Sequence, residues 1–247
     1  MRLILASASA LALVACGAPT APASSAEAAP AVPAAAPEAA PADAAVEVTY
    51  GKAATYKLDP THASLIWRVK HLGLSNYTAR FTNFDATLVF NPDDAAATSL
   101  TARIDPASVE TDYSGDYKAG HADSGFESWN EHLGQSGDYF NAGAFPEITF
   151  TSTAITKTGP DTGTVTGDLT FLGVTKPVTL DVKYNGVAQF PWAPEADNIG
   201  FSATTTLTRS DFGLTAGTPY VGDEVEVIIE AEFGEVVAPA DAPTDAE

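Results

Sequence analysis

Val165-Thr166-Gly167-Asp168-Leu169-Thr170-Phe171, followed shortly by Val178-Thr179-Leu180-Asp181-Val182-Lys183-Tyr184, places apolar side chains at every second position. Val165, Leu169 and Phe171 oppose Thr166, Asp168 and Thr170, while Val178, Leu180, Val182 and Tyr184 oppose Thr179, Asp181 and Lys183. Successive side chains of a strand point to opposite faces, so a period of two predicts antiparallel strands with one face inward and one in water. The pattern recurs in both directions along the chain. It holds for Leu65, Trp67 and Val69 (Ile66 breaks it), for Phe84 to Phe90, Leu100 to Ile104 and Ile148 to Phe150, and again for Ile199 to Leu207 and Val225 to Phe233. With Thr55–Leu58 this makes about nine short strands separated by Gly, Pro, Asn and Asp turns, which predicts an all-β sandwich or closed barrel. Trp67, Phe84, Leu88, Phe150, Leu169, Phe171, Leu180 and Phe201 fall on the inner face. They either fill the barrel as a solid core or line a cavity, and alternation leaves both open.

Residues 105–145 do not follow the period. Glycines 115, 120, 125, 134, 137 and 143 make the segment mostly loop, while Phe126, Trp129 and Leu133 at i, i+3 and i+7 allow a short amphipathic helix. A long loop with its own helix is expected either to plug one end of the core or to act as a lid.

The chain ends differ in composition from this domain. Residues 1–15 carry Arg2 before a short apolar run that ends in small residues, the pattern of a signal peptide. The run is shorter than the ~20 apolar residues that cross a bilayer. Leu13-Val14-Ala15-Cys16 resembles the bacterial lipobox, which implies lipidation of Cys16; an ordinary secretory signal cut nearby is the alternative. Residues 16–52 read as the lipidation site and an Ala/Pro-rich linker with few side chains to build a core. The folded domain is expected over 53–234 and an acidic disordered tail over 235–247. On this reading the protein lies in the periplasm, anchored to the outer membrane through Cys16, and its location follows from the leader alone.

Charge and motifs narrow the function. Thirty-two Asp and Glu against 12 Lys and Arg give a net charge of −20, without a basic stripe, which argues against a nucleic-acid partner. A single cysteine forms no internal disulfide. No phosphate-binding loop, dinucleotide fingerprint or nucleophile elbow occurs, and no cofactor is expected. His62 and His71 would point to opposite faces of one strand, and His121 and His132 lack H-x-x-x-H spacing. A metal-assisted hydrolase using His62, His71 or His132 is the competing reading, since a site could still assemble in space.

Three groups of motifs carry more specific information. The first is Leu58-Asp59-Pro60-Thr61-His62-Ala63-Ser64, running to Trp67 and then Lys70-His71-Leu72-Gly73. The second is Phe145-Pro146-Glu147-Ile148-Thr149-Phe150, followed by Gly167-Asp168-Leu169-Thr170-Phe171-Leu172-Gly173-Val174-Thr175-Lys176-Pro177-Val178. The last is Leu207-Thr208-Arg209-Ser210-Asp211-Phe212-Gly213-Leu214, closed by Val221-Gly222-Asp223-Glu224-Val225. In order and spacing they resemble the YceI-like family of bacterial periplasmic proteins. The resemblance implies a lipocalin-like antiparallel β-barrel with a short helix and long loop at one end. It also implies a non-catalytic role in binding, storing or transporting a long apolar molecule: a polyisoprenoid, an isoprenoid quinone or a fatty-acid derivative. The membrane and that molecule are then the partners, and a homodimer stays open. Under this reading the eight inner-face residues contact the ligand, and His62, His71, Trp129, His132 and Arg209 are candidates for the mouth or a headgroup. The family's Arg-Asp/Asn-x-His-Leu stretch appears here as Trp129-Asn130-Glu131-His132-Leu133, with tryptophan in place of the arginine, after an apparent insertion at 113–128.

Overall fold

The computed structural model describes residues 47–237; Cys16, the leader, most of the linker and the end of the acidic tail lie outside the described residues. The chain forms one antiparallel sheet of ten strands that closes on itself. They are β1 (Ala54–His71), β2 (Ser75–Phe81), β3 (Phe84–Phe90), β4 (Ser99–Ile104), β5 (Val109–Thr111), β6 (Ile148–Lys157), β7 (Thr162–Phe171), β8 (Val174–Phe190), β9 (Ala193–Thr208) and β10 (Val221–Glu235). Eight of them form the ring β1-β10-β9-β8-β7-β6-β4-β3. β1 closes it by pairing with β3 over Ala54–Lys57 and with β10 from Tyr56↔Glu235 to His71↔Val221. Closure removes the free edges that an open sheet would present.

The count differs from the expected nine for two reasons. Thr55–Leu58 and Leu65–Val69 are halves of one strand, bent by an irregularity between Leu58 and Ala63. β2 and β5 are short additional strands outside the ring: the second half of β1 turns from β3 to pair with β2, which pairs in turn with β5. Their apolar positions are few, so periodicity did not single them out.

The inner face follows the predicted alternation. Tyr56, Leu88, Phe150, Leu180, Ile199 and Phe233 are buried. Trp67, Phe84, Phe171 and Phe201 point inward yet keep partial exposure. That combination is expected of side chains bordering empty space and not of a packed core.

At one end, the irregular segment supplies α1 (Tyr117–Gly120) and α2 (Trp129–Gln135). Ser128 caps α2 by accepting the Glu131 N–H at 3.1 Å, so the helix starts at Trp129 and leaves Phe126 outside it. Leu133 faces the core and is buried. At the other end, residues 48–52, assigned to the linker by composition, pack against the barrel, and Glu235 completes β10. The domain therefore extends beyond 53–234 in both directions.

Candidate functional site

The barrel holds two adjacent apolar chambers that share part of their lining. One, of about 300 Å³, lies towards the end formed by residues 48–52 and the β3–β4 and β6–β7 turns. The other, of about 520 Å³, lies under α1 and α2. Leu65, Ile104, Leu169, Leu207 and Val227 border both and form the waist between them. These volumes fall within the ~300–1,000 Å³ of small-molecule sites. Phe84, Leu88, Phe150, Leu180 and Phe201 line the first chamber, Trp67 and Phe171 the second, and Leu169 the waist. Gly167 in β7 keeps this wall in place: a Cβ there would stand 2.5 Å from the Phe150 ring and from the Thr151 carbonyl oxygen.

The first chamber ends in an aromatic wall and a charged clamp. Tyr184 lies 5.3 Å from Phe201 and stacks on Phe90 at 6.1 Å. Tyr50 covers Tyr184 from outside at 5.1 Å. Beyond this wall the carboxylate of Asp197, 4 % exposed, accepts from the Lys52 N–H at 2.9 Å and from Gln189 Nε2 at 2.9 Å. Lys52 Nζ reaches Glu235 at 3.1 Å, and Glu235 accepts the Asp197 N–H at 2.9 Å. Burial alone would raise the Asp197 pKa, but the Gln189 and Lys52 hydrogen bonds and the Lys52 charge outweigh it and hold the group below its ordinary value. Burial, reinforced by the charges of Asp197 and Glu235, pushes the Tyr56 phenol well above its usual range.

The second chamber is walled by rings. Phe140 meets Trp67 edge-on at 5.9 Å and packs on Phe81 and Phe171 at 5.3 and 5.9 Å. Trp129 reaches the chamber wall, and its Nε1 donates to the Tyr77 hydroxyl at 2.8 Å. Trp67 Nε1 is buried without a hydrogen-bond acceptor among the described residues.

The candidate mouth residues do not form one group. Arg209 borders the second chamber but is 6 % exposed, and all five of its N–H donors are engaged. Nε donates to the Gly222 carbonyl at 2.7 Å, Nη1 to Leu214 and Ala216 at 3.2 and 2.7 Å, and Nη2 to Thr218 Oγ1 and the Val221 carbonyl at 3.1 and 3.0 Å. The guanidinium organises the β9–β10 connection, with all of its donors engaged there. His62 lies away from the mouth. It sits at the mid-strand irregularity of β1, exposed, with Nδ1 2.8 Å from Asp59. That contact raises the His62 pKa; the Thr61 hydroxyl and His62 together lower Asp59 to about 2.

His71 does border the second chamber, at its exposed rim. His132 lies in the cap, with Nδ1 2.7 Å from the Tyr117 hydroxyl and its ring stacked on Phe126 at 4.8 Å. Burial and then the neighbouring His121 lower its pKa, against the opposing charge of Asp138. Among the described residues no three His, Cys, Asp or Glu side chains group so as to hold a metal ion.

Sequence reasoning missed Tyr50, Lys52 and Asp197. Tyr50 and Lys52 follow an alanine-rich run and take its character by composition, and Asp197 stands among turn-like residues. Tyr50 was the available signal, as an aromatic residue in a segment otherwise poor in them.

Comparison with known proteins places this geometry. The family model described as a YceI-like domain matches residues 56–233. Protein YceI of Escherichia coli O157:H7 is 36 % identical over 182 residues, covering 73 % of this chain and 86 % of that protein. The crystal structure of the Campylobacter jejuni YCEI protein, 32 % identical, superposes with a TM-score of 0.56 over 68 % of this chain and 90 % of that one. BcnA of Burkholderia cenocepacia, 27 % identical, also gives 0.56, over 71 % and 98 %. A domain from Saccharophagus degradans, described as a polyisoprenoid binding domain implicated in plant cell wall breakdown, shares the fold at 14 % identity (TM-score 0.51, 73 % and 98 % covered). With the match running from the first half of β1 to the end of β10, and so around the whole ring that encloses both chambers, the chain belongs to the YceI-like domain family.

Proposed function

We propose that the barrel binds one long apolar molecule non-catalytically, its chain in the first chamber and its polar or aromatic end in the second. The observation that carries this reading is the pair of adjoining, hydrocarbon-walled chambers that share five lining residues. Each CH₂-sized group moved from water into such a space contributes ~0.8 kcal/mol, so a long chain binds without many polar contacts. The orientation follows from the lining. His71 at the rim, Tyr77 and Trp129 border the second chamber and offer contacts to a polar or aromatic end. Polyisoprenoids, isoprenoid quinones and fatty-acid derivatives fit this description, and the Saccharophagus domain of the same fold is named for the first of them.

Storage or transport in the cell envelope completes the proposal. Cys16 would carry the lipid anchor, and a tether of ~30 residues would keep the barrel within reach of the outer membrane. Protein purified without harsh solvent should yield, on organic extraction and mass spectrometry, one long-chain lipid at near-stoichiometric amount. Protein that is empty and takes up neither quinone nor polyprenyl analogues overturns the reading.

A further inference from the structure

We propose that the ligand enters through the first chamber and that Tyr50 is the gate of that entrance, Val48–Tyr50 swinging about a fixed point at Gly51–Lys52. The inference rests on the apolar-ligand reading and adds the route of uptake. The entrance is marked by a change in lining. Deep in the chamber the walls are aliphatic and aromatic, whereas Asn91, Thr98, Asp161 and Thr162 border it where it meets the turns. Tyr50 lies across this end and is itself part of the lining. Its hydroxyl donates to the Pro160 carbonyl on the far side, and the Lys157 ammonium sits 4.5 Å from its ring centre. Together with the packing of its ring on Tyr184 at 5.1 Å, these side-chain contacts hold Tyr50 in place. The hydrogen bond and the cation–π contact are the solvent-adjacent ones that break and re-form readily. Val48–Tyr50 make no backbone–backbone hydrogen bond among the described residues.

One residue further on, the chain is immobilised. Gly51 donates its N–H to the Tyr184 hydroxyl at 3.0 Å, and a Cβ on it would stand 2.6 Å from Ile199 Cγ2. Lys52 donates its N–H to the buried Asp197, and its carbonyl accepts from the Tyr56 hydroxyl at 3.0 Å. A fixed point beside a loosely held aromatic side chain is the arrangement of a hinged door. The opposite end offers no such device: α2 is seated by buried Leu133, and Arg209 ties the adjoining connection with all its donors.

A gate alters the rates of uptake and release together and leaves affinity nearly unchanged, whereas a wall residue alters affinity. Stopped-flow fluorescence with N-phenyl-1-naphthylamine on the delipidated full chain separates the two. Tyr50→Ala should raise the association rate by about tenfold, the effect of losing one hydrogen bond and one cation–π contact from the barrier. It also weakens affinity, because it removes a ring from the lining. Unchanged affinity, within about twofold, is read on Tyr50→Phe, which keeps that ring. Tyr50→Phe and Lys157→Met, which each remove one contact and leave the core untouched, should give smaller parallel increases. They test the gate even if Tyr50→Ala does not fold. Affinity that weakens at an unchanged association rate, or rates that stay at the wild-type value in all three variants, overturns the gate. Wild-type protein that binds no probe defeats the ligand reading itself, and the gate with it.

Discussion

At the strap end of the barrel, Lys52, Asp197 and Glu235 join the two ends of the domain through a charged clamp whose ammonium is half exposed. At the cap end, a buried arginine is held almost entirely by peptide carbonyls. Both arrangements give a cation its hydrogen-bond acceptors, with different mechanical results. A clamp near water can tolerate motion beside it, because solvent replaces a lost contact. A buried guanidinium serving four carbonyls cannot loosen without stranding all of them. The difference assigns rigidity to the cap and, at the other end, mobility to Val48–Tyr50 beside the fixed clamp; three measurements test that division, and a fourth compares two turns within the cap end.

The largest effect is expected from Arg209→Met. It strands the carbonyls of Leu214, Ala216, Val221 and Gly222 and should cost about 3–4 kcal/mol in urea unfolding. A loss below about 1 kcal/mol would mean that the cap is not held this way. Asp197→Ala should cost about 2 kcal/mol, because Lys52 and Gln189 lose a buried acceptor that water can partly replace. A loss as large as that of Arg209→Met would erase the contrast between the ends.

Acidification should separate the ends by direction. The folded His132 pKa lies below 6.5, so its contribution is present above that value and is lost as the pH falls through the folded pKa. The groups facing it are His121, Asp138, Tyr117 and Tyr139, of which only Asp138 opposes the loss. Asp197 is held below 3.8, so the clamp weakens only at more acidic pH. Amide protection, corrected for the intrinsic pH dependence of exchange, should therefore be lost in residues 129–140 before residues 52–58 as pH drops from 7 towards 4 (an interval that includes the ordinary His pKa and stays above the ordinary Asp one). His132→Gln should remove the early phase. Loss in the reverse order refutes the assignment.

The smallest effect concerns two similar turns at the cap end. Leu72-Gly73 and Leu172-Gly173 both hold leucine at positive φ, 52° and 49°. Leu172 packs against the core, but Leu72 is 52 % exposed and gains nothing comparable. Leu72→Asn should stabilise by about 0.5–1 kcal/mol, while Leu172→Asn should be neutral or destabilising. Equal gains at both sites would show that packing does not offset the strain.

Much of this architecture was legible in the period-two pattern, because alternation records which side of a strand meets water. Trp67, Phe84, Leu169 and Phe201 were placed on the inner face for that reason, and each borders a chamber. Volume was not legible, since Phe150 alternates in the same way beside a cavity or in a solid core. The partners of Arg209 left no trace either, because backbone carbonyls have no side-chain signature. Composition misled at Tyr50 and Lys52, where two decisive residues follow an alanine-rich run. The Asp-Pro-Thr-His motif drew attention to His62, yet its Asp59 contact stabilises a local irregularity on the outside.

The seam between β1 and β10 has a consequence for when a ligand can be enclosed. Tyr56 pairs with Glu235 across nearly the whole length of the domain, and β10 is the last strand to be synthesised. Until it docks, β1 and β9 are open edges and the interior is a curved surface facing solvent. Contacts so distant in sequence form late and slowly. A chamber closed by β10 cannot form before β10 has been made, and a chain cut short before it would expose a greasy sheet with nothing to hold.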